Sequence, residues 1–248
     1  MENAIKKLIE CGMLGIKTSF EDEGQTFDKI IKLRDITTKN GLKLVIKIGG
    51  CEAKSDVKMA EKLLCDQIIS PMVESKYAVK KFKLIDTKLP KGINLETNIA
   101  CSNVDDILKE SDDMNFFVIG RVDLVGSLYK DRSIINDKEI YDICFSVFTK
   151  IRKKYGNNVK IGMGGSINKN SLKFIKDLYE NGLLDYVETR FIIFDVETLL
   201  QNYNKGIYNA NVFEVQWLQY QNMIDSQDIN LRKNREIMIS KRIAEFNM

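Results

Sequence analysis

With 248 residues, the chain is long enough to bury a full core as one large domain. A charged fraction of 29%, a hydrophobic fraction of 44% and a net charge of +3 without any basic block exclude a nucleic-acid or membrane-surface protein as the first reading. Five scattered cysteines (Cys11, Cys51, Cys65, Cys101, Cys144) without a CxxC pair exclude a disulfide framework or zinc site, and read as free thiols in a reducing, cytoplasmic setting.

Short apolar runs alternate with amphipathic helical stretches from about residue 13 to about residue 196. Strands are expected at 15–19, 42–48, 67–70, 92–96, 116–120, 159–163 and 186–194. A helix is expected over 102–111. Another follows Asn136, with Ile140, Ile143, Cys144, Val147, Phe148, Ile151 and Tyr155 on one face and Glu139 placed to complete a capping box. A third carries Leu172, Ile175 and Tyr179 inward and stops at Gly182. Repeated strand–helix units with near-continuous apolar strands mean a parallel sheet covered by helices. An open doubly wound sheet and a closed (β/α)8-type TIM barrel both fit. The barrel is preferred because polar residues (Glu21, Glu23, Lys47, Glu74, Glu96, Asp123, Ser166, Arg190) stand near almost every strand end, and a barrel gathers those ends on one face. Seven strands are readable where eight are needed, so the eighth is expected before the first residue. Residues 1–196 are read as the barrel. Residues 197–248 are read as a polar helical extension, with Phe213, Trp217, Tyr220 and Ile224 on one face, packed on its own barrel or exchanged with a neighbouring subunit. Only Pro71 and Pro90 are present, so no proline-rich linker divides the chain, and neither a leader nor a membrane anchor is expected.

The most informative feature is a pair of carboxylates. Consecutive strands ending in Asn94-Leu95-Glu96-Thr97 and Ile119-Gly120-Arg121-Val122-Asp123-Leu124 open on the same side, which brings Glu96 and Asp123 together. Two adjacent carboxylates repel unless a proton or a cation lies between them, and a hard divalent ion with oxygen ligands is the natural partner. Solvated strand ends, or pairing with lysines, are the alternatives.

Together with Pro71-Met72-Val73-Glu74-Ser75, these segments stand in an order that resembles the HpcH/HpaI aldolase and citrate lyase β-subunit family, over roughly residues 15–194. Phe20-Glu21-Asp22-Glu23-Gly24 and Ile48-Gly49-Gly50-Cys51-Glu52-Ala53 look like features of a divergent branch. The resemblance implies a pyruvate/phosphoenolpyruvate-type TIM barrel. It also implies a carbon–carbon lyase or aldolase acting on a 2-oxo acid through a metal-stabilised enolate, with Glu96 and Asp123 as ligands of Mg2+, Mn2+ or another divalent ion. This chain departs from the family in two ways. Lys47 stands where the family has a substrate-binding arginine, and lysine lacks the bidentate fork. There is no histidine anywhere, so no histidine base exists.

The remaining site residues are read from position. Arg121, two residues before Asp123 on a strand, would point to the same side and supply the missing guanidinium. Arg190 is a second candidate for the substrate carboxylate, and for either arginine a structural salt bridge is the alternative reading. Glu52, or water on the metal, would move the proton. Lys17 and Lys47 interrupt apolar strands and read as ion pairs with Glu21, Glu52 or Glu96, or as Schiff-base nucleophiles. Gly164 and Gly165 form a glycine-rich turn of the kind that holds phosphate, or a plain tight turn. Two rival functions follow: a metal-independent Schiff-base or phosphate-binding barrel enzyme, and a barrel that binds a ligand or partner without catalysis. A small-molecule substrate and a homo-oligomer are the expected partners.

Overall fold

The computed structural model describes residues 1–224 and 228–246. Its strands close in sequence order into a barrel: β1 (Met13–Ser19), β2 (Lys43–Lys47), β3 (Gln67–Ser70), β4 (Lys91–Asn94), β5 (Phe116–Gly120), β6 (Lys160–Gly164), β7 (Tyr186–Glu188) and β8 (Ile192–Asp195). Each pair from β1–β2 to β6–β7 is parallel. β8 differs: it runs antiparallel to both β7 and β1. The apolar run expected as one strand over 186–194 is therefore a hairpin. Thr189 closes it, its amide donating to the Ile192 carbonyl at 2.9 Å and its hydroxyl accepting from the Ile192 amide at 3.1 Å. The eighth strand thus comes from within the chain, not from before residue 1.

Helix α1 (Glu2–Glu10) precedes β1, and α2 (Phe27–Lys39), α3 (Lys54–Lys62) and α4 (Lys76–Lys83) connect the first four strands. Between β4 and β5 the single helix expected over 102–111 is two short ones, α5 (Asn98–Ser102) and α6 (Val104–Leu108), broken at Asn103. α7 (Arg121–Ser127) starts directly on the end of β5. α8 (Lys138–Tyr155) buries Ile140, Cys144, Val147, Phe148 and Ile151, the expected face. Its N-cap is Asp137 rather than Asn136, because Asn136 Oδ1 is taken by Arg121 and Ser171, and Glu139 pairs with Lys130 instead of capping. α9 (Leu172–Glu180) leads to β7, and α10 (Val196–Gln201), α11 (Tyr203–Ile224) and α12 (Ile229–Ala244) follow β8.

The main core lies between the sheet and the helices. A smaller cluster fills the barrel itself: Val45, Ile69, Phe116, Val118, Tyr186 and Ile193. Two glycines make room for its rings. A Cβ on Gly92 would stand 2.0 Å from the Phe116 ring, and one on Gly162 would stand 2.3 Å from the Tyr186 ring.

The reversal of β8 decides where the rest of the chain goes. β8 returns the backbone to the N-terminal end of the barrel, where the Asp195 amide donates to Gly12 O at 2.8 Å. α11 then starts against Leu199 and Cys11, around Gly206, and climbs back along the barrel. Its 22 residues span about 33 Å. On the way Tyr203, Ile207, Ala210, Phe213 and Trp217 join the main core. At the far end Gln221 Nε2 donates to Gln25 Oε1, in the loop after β1, at 2.7 Å. No described helix is long and apolar enough to cross a membrane.

Candidate active site

A cavity of about 240 Å³ opens at the C-terminal ends of the parallel strands. Lys17, Lys47, Glu96, Asp123, Gly164, Gly165 and Arg190 all line it, as the convergence of barrel strand ends requires.

Glu96 follows β4 and is 3% exposed. Both its oxygens are held: Oε1 accepts from the Met72 amide and Oε2 from Asn94 Nδ2, each at 3.0 Å. Met72 presents that amide from a left-handed conformation, φ +52°. Gly120 leaves room for the carboxylate on the other side, where a Cβ would come within 2.5 Å of Glu96 Oε2. Asp123 lies in the first turn of α7 and is open to the cavity. Burial pushes the Glu96 carboxyl above its usual range, Asp123 adds to the rise, and Lys47 and the Met72 amide oppose it. Asp123 is raised as well, by the protein mass around it and then by Asp22, again against Lys47. The pair is a locus of unmatched negative charge.

The donor set fits a divalent ion that keeps part of its water shell. Among the described residues no group of three or more Asp, Glu, Cys or His side chains is arranged to cage a metal. Magnesium, however, is commonly held by one or two carboxylates with water and substrate completing its shell. Asn94 Oδ1, buried and without a partner beside Glu96, supplies one more oxygen at the cavity wall.

Both lysines are matched, but not by the carboxylates expected. Lys17 Nζ pairs with Glu188 Oε2 at 2.5 Å, and Lys47 Nζ with Asp22 Oδ2 at 2.6 Å. Burial alone would lower the Lys17 pKa, yet the charge and hydrogen bond of Glu188 outweigh it and hold the ammonium above its ordinary value. A lysine held protonated is a poor Schiff-base nucleophile. Glu23 lines the same cavity, with Oε2 shut off from solvent and unpartnered. Burial pushes its pKa up to about 7, against the pull of Arg190, Lys17 and Lys47.

Two expected catalytic residues lie elsewhere. Arg121 is fully buried and does not line the cavity. It donates to Asn136 Oδ1 and Gly165 O at 2.9 Å, Ile135 O at 3.2 Å and Gly164 O at 3.3 Å, and stacks 4.8 Å from the centre of the Phe174 ring. The strand stops at Gly120, and residues two apart on a helix differ by about 200° rather than sharing a face. Arg121 therefore points into the protein while Asp123 faces the cavity. Its work is to fasten the glycine-rich turn. Gly165 needs to be glycine there, with φ +89° and a would-be Cβ 2.7 Å from the Arg121 and Val122 amide nitrogens. The turn runs into a single 3-10 turn, Lys169–Ser171, and not straight into α9. Glu52 is exposed, pairs with Lys81 at 2.7 Å and lies outside the cavity lining.

Several lining residues had no assigned role in the sequence: Asp22, Glu23, Asn94, Arg132 and Glu188, with Asn211, Glu214, Arg235 and Arg242 from the C-terminal helices. For Asn94 a signal existed, since it stands two residues before Glu96. Nothing local marks Arg235 and Arg242 beyond their seven-residue spacing, which puts them on one helix face.

This geometry can be set beside known proteins. No protein-family model and no curated protein matches the chain. Solved structures do. The citrate synthase SbnG is similar with a TM-score of 0.61 at 11% identity, over 84% of this chain and 88% of that one. An HpcH/HpaI aldolase from Desulfitobacterium hafniense has a TM-score of 0.59 at 13% identity, over 85% and 89%. The fold is that of the HpcH/HpaI aldolase and citrate lyase structures. Another match is the citrate lyase β-subunit of M. tuberculosis, solved with oxaloacetate and magnesium, at a TM-score of 0.51 and 11% identity over 75% and 85%. The barrel expected from the sequence is confirmed.

Proposed function

We propose that the protein is a divalent-metal-dependent aldolase or lyase that makes or breaks a carbon–carbon bond next to a 2-oxo acid such as pyruvate. The observation that carries this reading is the buried Glu96 beside Asp123 at the barrel mouth, both raised in pKa by burial, with Lys47 the cation that most opposes each rise. The oxaloacetate and magnesium named for the M. tuberculosis structure support it. Glu96 and Asp123 would hold the ion, and Asn94 Oδ1 lies beside them. The chemistry a divalent ion supplies when bound is positive charge at the oxygen where enolate charge develops.

The chain's own groups do the rest. Lys47 and Arg190 offer charge to the substrate carboxylate, and the Lys17–Glu188 pair fixes the floor of the cavity. Glu23 takes the histidine's place as base, with a pKa near neutrality and a free oxygen. In the addition direction the proton leaves the substrate carbon for Glu23, and the released electron pair forms the new bond to the carbonyl carbon of an acceptor. The acceptor's C=O π pair moves onto its oxygen, which takes the proton back. Cleavage is the reverse.

The test is exchange of the pyruvate methyl protons in D2O, followed by NMR with Mg2+ or Mn2+. Exchange is expected with the ion, loss in EDTA, and loss in Glu96→Ala. An exchange rate at background with every divalent ion would overturn the reading. Borohydride trapping of pyruvate on Lys17 or Lys47 in EDTA would favour the Schiff-base rival.

A further inference from the structure

The barrel is open at its other end as well. A second cavity, of about 500 Å³, enters from the N-terminal ends of the parallel strands, and its volume is that of a small-molecule site. Most strands lend it a residue at or next to their start, among them Leu14, Lys43, Gln67, Asn115, Lys160 and Asp185. Its walls are Val45, Phe116, Tyr186 and Ile193, which belong to the cluster inside the barrel. Barrel interiors of this kind are ordinarily filled by side chains throughout. Here the lower end is left hollow. No residue of α1 covers it, because that helix packs on α11 and β1, and Leu14 at the rim stays 44% exposed.

Polar groups at its two ends define what would fill it. At the inner end stands Glu188, the one residue that lines both this cavity and the mouth. Its Oε2 is taken by Lys17, but Oε1 is buried without a partner, and the residue is only 1% exposed. That oxygen is short of a donor. At the rim the balance of charge is positive. Asp185 is already matched by Arg152 at 2.8 Å, and Asp195 Oδ2 accepts from the Thr198 amide and hydroxyl at 2.8 Å, where it caps α10. Lys43 makes no ion pair with a described residue, and Lys160 reaches only Asp185, at 3.5 Å. Asp185 at the rim and Glu188 at the inner end are three residues apart along β7, or about 10 Å.

We infer that the N-terminal end of the barrel is a binding site for a small amphiphile of that length. Its apolar body lies against Phe116, Tyr186 and Ile193, its carboxylate meets Lys43 and Lys160 at the rim, and a hydroxyl at its inner end donates to Glu188 Oε1. The site does not rest on the metal chemistry proposed for the mouth. It touches the mouth at one point only, the Glu188 side chain whose other oxygen holds Lys17.

The experiment is calorimetric titration of the full-length protein with 8-hydroxyoctanoate, octanoate and octane-1,8-diol. One 8-hydroxyoctanoate is expected to bind per chain. Octanoate lacks the hydrogen bond to Glu188 and should bind about tenfold more weakly. The diol lacks the charge that meets the lysines and should bind several-fold more weakly. Lys43→Glu, at an exposed rim position, should weaken both carboxylates about five- to tenfold and spare the diol, with circular dichroism confirming the fold. Oxalate, a small dianion suited to the mouth, should not displace 8-hydroxyoctanoate. The inference is overturned if 8-hydroxyoctanoate does not bind, if octanoate or the diol binds as tightly, if folded Lys43→Glu binds the carboxylates as the parent does, or if oxalate displaces the probe. None of these outcomes bears on pyruvate exchange, which decides the proposed function separately.

Discussion

Glu23 shows how a single environment sets both chemistry and stability. Its carboxyl, ordinarily near 4.5, is pushed to about 7 mainly by burial. Between those values the folded protein holds a proton that the unfolded chain has released. Stability therefore falls as pH rises through that window, and the loss is complete above about 7. Glu23→Gln removes the ionisation and is expected to raise the melting temperature at pH 8 more than at pH 5, by differential scanning fluorimetry. As a base Glu23 works ionised, so pyruvate exchange should rise with pH through about 7, and Glu23→Gln should abolish that rise. Arg121 gives the contrasting case of a charge used for structure. Arg121→Met leaves the carbonyls of Gly164, Gly165 and Ile135 without their donor, and should cost roughly 3 kcal/mol or more in urea unfolding. The sequence made Glu96, Asp123, Lys17 and Lys47 legible because polar residues at the ends of apolar runs have nowhere to converge but the mouth. It misplaced Arg121 because the period changes from strand to helix at Gly120, and a spacing of two means the same side in one and opposite sides in the other.

Among the elements, the hairpin of β7 and β8 was the hardest to read. Tyr186 to Phe194 is apolar at both ends, and only Glu188-Thr189-Arg190 interrupts it, so one long strand and two short ones give nearly the same pattern. The eighth strand was sought outside the chain for that reason. The barrel interior carries its own check. Gly92 and Gly162 face Phe116 and Tyr186 across neighbouring strands, and neither ring has room for an added methyl. Gly92→Ala is expected to cost roughly 1–3 kcal/mol through overpacking, seen as a lower melting temperature with the helical content unchanged.

For the molecule as a whole, the antiparallel β8 joins the C-terminal helices to the barrel's chemistry. α11 shares the main core through Phe213 and Trp217, so truncation after residue 202 should yield aggregated protein. Truncation after residue 228 removes only Ile239 from the fully buried set and should leave a folded barrel, by circular dichroism and gel filtration. Periodicity made α11 visible, whereas its direction depended on the reversal of one four-residue strand. That is why Asn211, Arg235 and Arg242 could not be placed from the sequence. The central claim remains the carboxylate pair, and titration with Mn2+ followed by electron paramagnetic resonance tests it most directly. One tightly bound ion per chain is expected in the parent, weakened about 10- to 100-fold or lost in Glu96→Gln and in Asp123→Asn. Variants that bind Mn2+ as the parent does would contradict it.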